Sequence, residues 1–181
     1  MFHNRDNQKR KRGHLMLVQH NIQPIYNQSS QILILGSFPS VKSREAQFFY
    51  HHPQNRFWKI CALLYHHEPL LTIEDKKAFL LKHHIALWDV IQSCDIQGSS
   101  DSSIQNVKVN DITSLLKQTH IQYIYTNGKK AHQLYRQYCY PITGIKDICL
   151  PSTSPANAAY SLERLLDSWK IICQEEGKEV L

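Results

Sequence analysis

Short apolar runs alternate along the chain with segments whose apolar residues recur at helical spacing. The run Gln31-Ile32-Leu33-Ile34-Leu35-Gly36 reads as a buried strand closed by glycine, and Ile85-Ala86-Leu87-Trp88-Asp89-Val90 as a second. A third spans 121–128 and ends in Asn127-Gly128. The fourth and shortest, Asp147-Ile148-Cys149-Leu150, is closed by Pro151. Between them, Phe57, Ile60, Cys61 and Leu64 fall on one helical face, as do Ile112, Leu115 and Leu116, and Leu162, Leu165, Leu166 and Trp169. A further helix is predicted from Ala131 to Tyr138. Apolar strands alternating with helices predict an α/β fold with a parallel sheet covered on both faces. Ligands of such folds bind at the carboxyl ends of the strands. Three of the four runs end there in polar loops marked by glycine or proline.

Length and composition narrow the class without naming a chemistry. The 181 residues suffice for one domain with a core that needs neither disulfide nor metal. That domain is expected over residues 21–181. Residues 1–20 are mostly polar and basic and read as a loose tail. The run Lys9-Arg10-Lys11-Arg12 either adds nonspecific phosphate affinity or is simply solvated. No stretch approaches the roughly 18–20 apolar residues of a membrane span. Residues 13–19 turn polar too soon for a signal-peptide core, so an intracellular protein is expected. Cys61, Cys94, Cys139, Cys149 and Cys173 are widely spaced and form no C-x-x-C pair, which argues against a disulfide framework and a zinc site. Cys61, Cys149 and Cys173 sit among apolar residues and read as core. A net charge of +6 suits a polyanionic partner but does not by itself identify one.

Three segments carry candidate chemistry. Gly36-Ser37-Phe38-Pro39-Ser40 follows the first strand, where small residues let backbone amides approach a ligand closely; an ordinary turn reads the same way. Residues 48–58 place Tyr50, His51, His52, Asn55 and Arg56 just before a helix, with Pro53 suited to its first turn. There an aromatic face can stack on an extruded base and Arg56 can meet a phosphate. Phe57 and Trp58 read as core, and Asn55 equally suits a helix cap. Leu150-Pro151-Ser152-Thr153-Ser154-Pro155-Ala156-Asn157 ends the last strand and leads into a helix, where its hydroxyls and amides form an anion site for a DNA phosphate or simply cap that helix.

In this order the three segments resemble the hypoxanthine-DNA glycosylase branch of the uracil-DNA glycosylase superfamily, over about residues 32–169. The stretch from Gly36 to Trp58 is also similar to the mismatch-specific uracil glycosylases, which carry a comparable His-Pro-x-Asn-Arg-Phe-Trp segment. The resemblance implies a three-layer α/β/α sandwich around a four-stranded, mostly parallel sheet. It implies double-stranded DNA with deaminated bases as substrate, a monomer, and no metal or cofactor. Where the mismatch enzymes have a water-positioning asparagine, this chain has Phe38, and the segment from Gly36 to Ser40 lacks an aspartate. The hypoxanthine branch places its catalytic amide in the His-Pro-x-Asn segment, which is Asn55 here. By the same resemblance Tyr50 is the base-stacking aromatic.

Cleavage through an oxocarbenium-like sugar needs no strong nucleophile, so an amide that holds water is sufficient if charge on the departing base is stabilised. The amides of Ser37 to Ser40 are the candidates for that stabilisation, within a base pocket that includes Tyr50 and His52. Arg56 and the segment from Ser152 to Asn157 are the expected DNA contacts. Asp89 suits a water- or amide-orienting role as well as a helix cap. Residues 98–102 form a polar loop able to touch DNA but read as solvated. Lys129 and Lys130 fit either a phosphate site or a capped, solvated helix start. The alternatives are a uracil or G·U mismatch glycosylase, a noncatalytic DNA-binding module and a hydrolase of free nucleosides.

Overall fold

In the computed structural model, which describes residues 15–177, the four runs form a fully parallel sheet. Its strands are β2 (Ile32–Gly36), β3 (Ile85–Asp89), β6 (Tyr123–Asn127) and β7 (Asp147–Leu150), in the order β3-β2-β6-β7. Side chains of β2 alternate between two cores. Ile32 and Ile34 enter a cluster with Phe57, Ile60, Phe79, Leu165 and Trp169, from α2 (Phe57–Leu64), α3 (Ile73–Lys82) and α7 (Leu162–Trp169). Leu33 and Leu35 enter the opposite cluster with Ile112, Leu115 and Leu134, from α4 (Ile112–Lys117) and α5 (Lys129–Leu134). All four β2 side chains are essentially inaccessible to solvent. Each such aliphatic side chain contributes about 1.5–3 kcal/mol, so this strand anchors both layers.

The second layer also contains an element that the apolar pattern did not announce. β1 (Met16–Gln19), β4 (Ile91–Ile96) and β5 (Gln105–Val109) form an antiparallel sheet, in the order β1-β4-β5. Residues 16–19 therefore belong to a strand rather than to a loose tail, because β4 supplies their backbone partners. The basic run at residues 9–12 lies outside the described residues. Ile91, Cys94 and Ile96 of β4 are buried in the same cluster as Leu33 and Leu35.

Other expectations shift locally. The helix expected from Ala131 to Tyr138 is α5 running into a wide turn at Tyr135–Cys139 and then α6 (Tyr140–Thr143). Pro53 precedes α2 by a turn and is not in it. Cys61 is fully buried as expected, but Cys149 is exposed on the edge strand β7 and Cys173 is half-buried. Among the described residues, none of the five cysteines is in a disulfide. Among the described residues no helix is long and apolar enough to cross a membrane.

Candidate active site

The carboxyl ends of β2, β3 and β6 place Gly36, Asp89 and Asn127 side by side at one edge of the sheet. They line a cavity of about 290 Å³. Gly36 forms part of its floor for a steric reason. A Cβ on Gly36 would lie 2.2 Å from Asp89 Oδ1 and 3.2 Å from the Tyr50 hydroxyl, so only glycine admits both groups. Asp89 is buried and its Oδ2 has no hydrogen-bond partner among the described residues. Burial, reinforced by the nearby Asp101 carboxylate, pushes its carboxyl up to about 7. Burial likewise raises the Tyr50 hydroxyl, with Asp89 adding to the effect. Asp89 caps no helix; it ends a strand inside the cavity.

A chain of hydrogen bonds fixes Asn55 on the other side of the floor. The Thr153 amide donates to Asn127 Oδ1, at 2.9 Å, which turns Asn127 Nδ2 toward Thr153 Oγ1, also at 2.9 Å. Having accepted that bond, the Thr153 hydroxyl donates to Asn55 Oδ1 at 2.9 Å. The Phe57 amide donates to the same oxygen at 3.0 Å, and an amide N–H can only donate. Two donors therefore define which amide atom is oxygen. Asn55 Nδ2, with no protein partner among the described residues, is left to serve the cavity that Asn55 lines. Asn55 thus both braces the start of α2 and belongs to the site.

The segment after β7 departs from its expected form. Residues 151–160 make turns, and the next helix, α7, starts only at Leu162, capped by Ser161. Ser152 to Asn157 therefore open no helix of their own; Gly128, which caps α5, packs against Ser152, and the Arg56 amide at the start of α2 donates to the Thr153 carbonyl. The loop is also braced internally: Ser152 Oγ accepts from the Ser154 amide, Ser154 Oγ from the Ala156 amide, and Asn157 Nδ2 donates to the Ser152 carbonyl. Arg56 supplies the outer brace. Its guanidinium donates to the carbonyls of Thr153, Ser154, Asn157 and Tyr160. With four of its five N–H donors on these carbonyls, Arg56 organises the loop, and it does not line the cavity. Asn157 is also outside the lining, whereas residues 152–156 form one wall.

The remaining expected residues gather on the opposite wall. Ser37, Phe38, Pro39 and Ser40 all line the cavity, together with Tyr50 and His52. Phe38 is held by the guanidinium of Arg44, in α1 (Val41–Ala46), 5.3 Å from its ring centre, while Arg44 also donates to the Pro39 and Gly98 carbonyls. His52 Nδ1 accepts from the Gln54 amide. The loop expected to be merely solvated contributes to the site: Ser37 Oγ donates to Asp101 at 2.9 Å, and Ser99 Oγ accepts from the Val41 amide. Ser99 and Asp101 join the lining. Lys129 and Lys130 do not, and Asn127, at the end of β6, is buried in the Thr153 network. Among the described residues, no group of three or more His, Cys, Asp or Glu could hold a metal ion.

Comparison with known proteins agrees with this geometry. The family model of the uracil DNA glycosylase superfamily matches residues 23–173. A hypoxanthine DNA glycosylase of Methanosarcina acetivorans is 32% identical over 150 residues, covering 82% of this chain and 94% of the relative. A second protein of that name, from Methanosarcina barkeri, is 29% identical over 111 residues, covering 60% of this chain and 70% of its own. The solution NMR structure of a Methanosarcina acetivorans protein, described as a candidate uracil DNA glycosylase, superposes with a TM-score of 0.76 at 30% identity. It covers 90% of this chain and 100% of its own. The chain belongs to the uracil DNA glycosylase superfamily.

Proposed function

We propose that this DNA glycosylase excises deaminated bases, hypoxanthine foremost, from double-stranded DNA, acting as a monomer and leaving an abasic site. The observation that carries the reading is the fixed Asn55 amide at a glycine-floored cavity about the size of a small-ligand site. Both relatives named above as hypoxanthine DNA glycosylases support the choice of base.

The base is rotated out of the duplex into the cavity, a step that is easier for a mispaired, deaminated base. Asn55 presents Nδ2–H to a water beside C1′. A donor amide holds that water by its oxygen and cannot take its proton, so bond breaking leads and water captures an oxocarbenium-like sugar. The backbone N–H groups of Ser37, Phe38 and Ser40 face the carbonyl edge of the base and stabilise the negative charge that it gathers, the larger share of the rate enhancement. Tyr50 lies against the bound base. Ser152 to Ala156 grip the strand on the opposite wall and keep the nucleotide extruded. Hypoxanthine offers O6 as acceptor and N1–H as donor, and adenine reverses both. A pocket matched to the first disfavours the second by roughly 10⁴-fold or more.

Among the described residues, no lysine lines the cavity. Lys42, in the first motif block, is exposed and paired with Glu45 at 3.0 Å. That supports base release without a Schiff-base step. The test is incubation with duplexes carrying one deoxyinosine, one deoxyuridine or only ordinary bases, with the freed base identified by mass. Free hypoxanthine is expected, and borohydride is expected to trap no adduct. Release chiefly of uracil would reassign the substrate, and no release with DNA binding intact would make the chain a binding module.

A further inference from the structure

The cavity contains a buried carboxyl group that the mechanism above does not use. Asp89 is 3% exposed, ends β3 at the cavity, and leaves Oδ2 without a hydrogen bond among the described residues. A carboxyl group in that state is costly unless it remains neutral or a ligand completes it. The groups around it do not neutralise it. Tyr50 approaches from the loop before α2 and Asp101 from the turn before β5, and both interact with it unfavourably when charged. Lys130 acts on Asp101. Arg44 is bonded to the Pro39 and Gly98 carbonyls, and His20 to the Ile91 carbonyl. His52 lines the same cavity with Nδ1 engaged by the Gln54 amide. Asn55 stands on the β6–β7 side of Gly36 and Asp89 on the β3 side, so a base above the glycine lies between amide and acid.

We propose that Asp89, as a neutral carboxylic acid, donates a proton to the departing base; the inference rests on the glycosylase reading above. N7 is the most basic ring atom of a 6-oxopurine joined through N9. The C1′–N9 bond breaks with its electron pair passing to the purine, the Asp89 proton moves to N7, and hypoxanthine leaves as a neutral molecule. Water adds to C1′ and releases one proton to solvent, and the Asp89 carboxylate regains one from solvent. Gly36 is required because a side chain there would displace the acid. A titration near neutrality, to which burial brings Asp89, leaves a working fraction protonated at physiological pH.

The test compares the wild type with Asp89→Asn, which keeps shape and a hydrogen-bond donor but has no proton to transfer. Single-turnover release from a deoxyinosine duplex is followed from about pH 5.5 to 9. The wild-type rate is expected to fall about tenfold per pH unit above the titration of Asp89, since the active form is the acid. The variant is expected to be roughly 10²-fold slower at low pH, with a flat profile, so that the two converge as pH rises. A variant as fast as the wild type, or one that keeps the falling limb, overturns the inference while leaving the glycosylase reading intact. No release by the wild type removes that reading and this inference together. An independent check is the ¹³C resonance of the Asp89 carboxyl, identified by its loss in Asp89→Asn. Titration near neutrality supports the proposal, and titration in the ordinary carboxylate range contradicts it whatever the activity.

Discussion

Thr153 Oγ1 donates a 2.9 Å hydrogen bond to Asn55 Oδ1, joining residues 98 apart in sequence. Together with the Phe57 amide it satisfies the amide oxygen and leaves Nδ2 free for a ligand. Thr153→Val removes this donor and strands Asn127 Nδ2. Single-turnover base release is expected to fall by roughly tenfold, about 1.4 kcal/mol, with the fold retained. Thr153→Ser restores the hydroxyl and is expected to recover most of the rate; equal rates for all three proteins would show that this bond does not set the amide.

Arg56 braces the strand-gripping loop through four carbonyls. Arg56→Met leaves those carbonyls without their donor and is expected to lower stability by about 1–3 kcal/mol, measured by denaturant titration. With Arg56 serving the loop, the slope of log DNA affinity against log salt is expected to be unchanged. Loss of a phosphate contact would instead flatten it by about 0.9.

Gly36→Ala places a methyl group 2.2 Å from Asp89 Oδ1 and against the Tyr50 hydroxyl. Both neighbours are packed, so the substitution is expected to destabilise the protein by about 1–3 kcal/mol. It should abolish base release even at temperatures where the variant remains folded. Circular dichroism and single-turnover assays on one sample separate the two effects.

The parallel sheet was legible because β2 and β3 are buried on both faces and so read as continuous apolar runs. The antiparallel sheet was not. Only Ile91, Cys94 and Ile96 of β4 are buried, the spacing is not strictly alternating, and the register with β5 shifts twice. β1 is short and exposed, and only its partner makes it a strand. At the site, glycine, asparagine and aromatic positions stood out by residue type. The state of Asp89 did not, since only tertiary packing decides whether a carboxylate at a strand end is solvated. The loop-bracing role of Arg56 was hidden for the same reason, since its carbonyl partners lie about a hundred residues away.

Asp89 should also mark the pH dependence of stability. Its folded pKa, about 7, lies above the 3.8 of an unperturbed carboxyl. Between those values the folded state binds the extra proton, so this group makes the protein less stable as pH rises. Asp89→Asn removes that contribution. The stability of the variant relative to wild type is expected to increase from pH 4 to pH 7 by up to about 1.4 kcal/mol per unit. Urea titrations across that window would show a constant difference if Asp89 were ionised in the folded protein throughout.

Single-turnover release of hypoxanthine from a deoxyinosine duplex, by wild type and Asn55→Ala, tests the assignment of the site most directly. The alanine variant removes the amide that serves the cavity and is expected to bind the duplex while releasing base at least roughly 10²-fold more slowly. Wild-type release with an unimpaired Asn55→Ala variant would show that the chemistry resides elsewhere in the cavity.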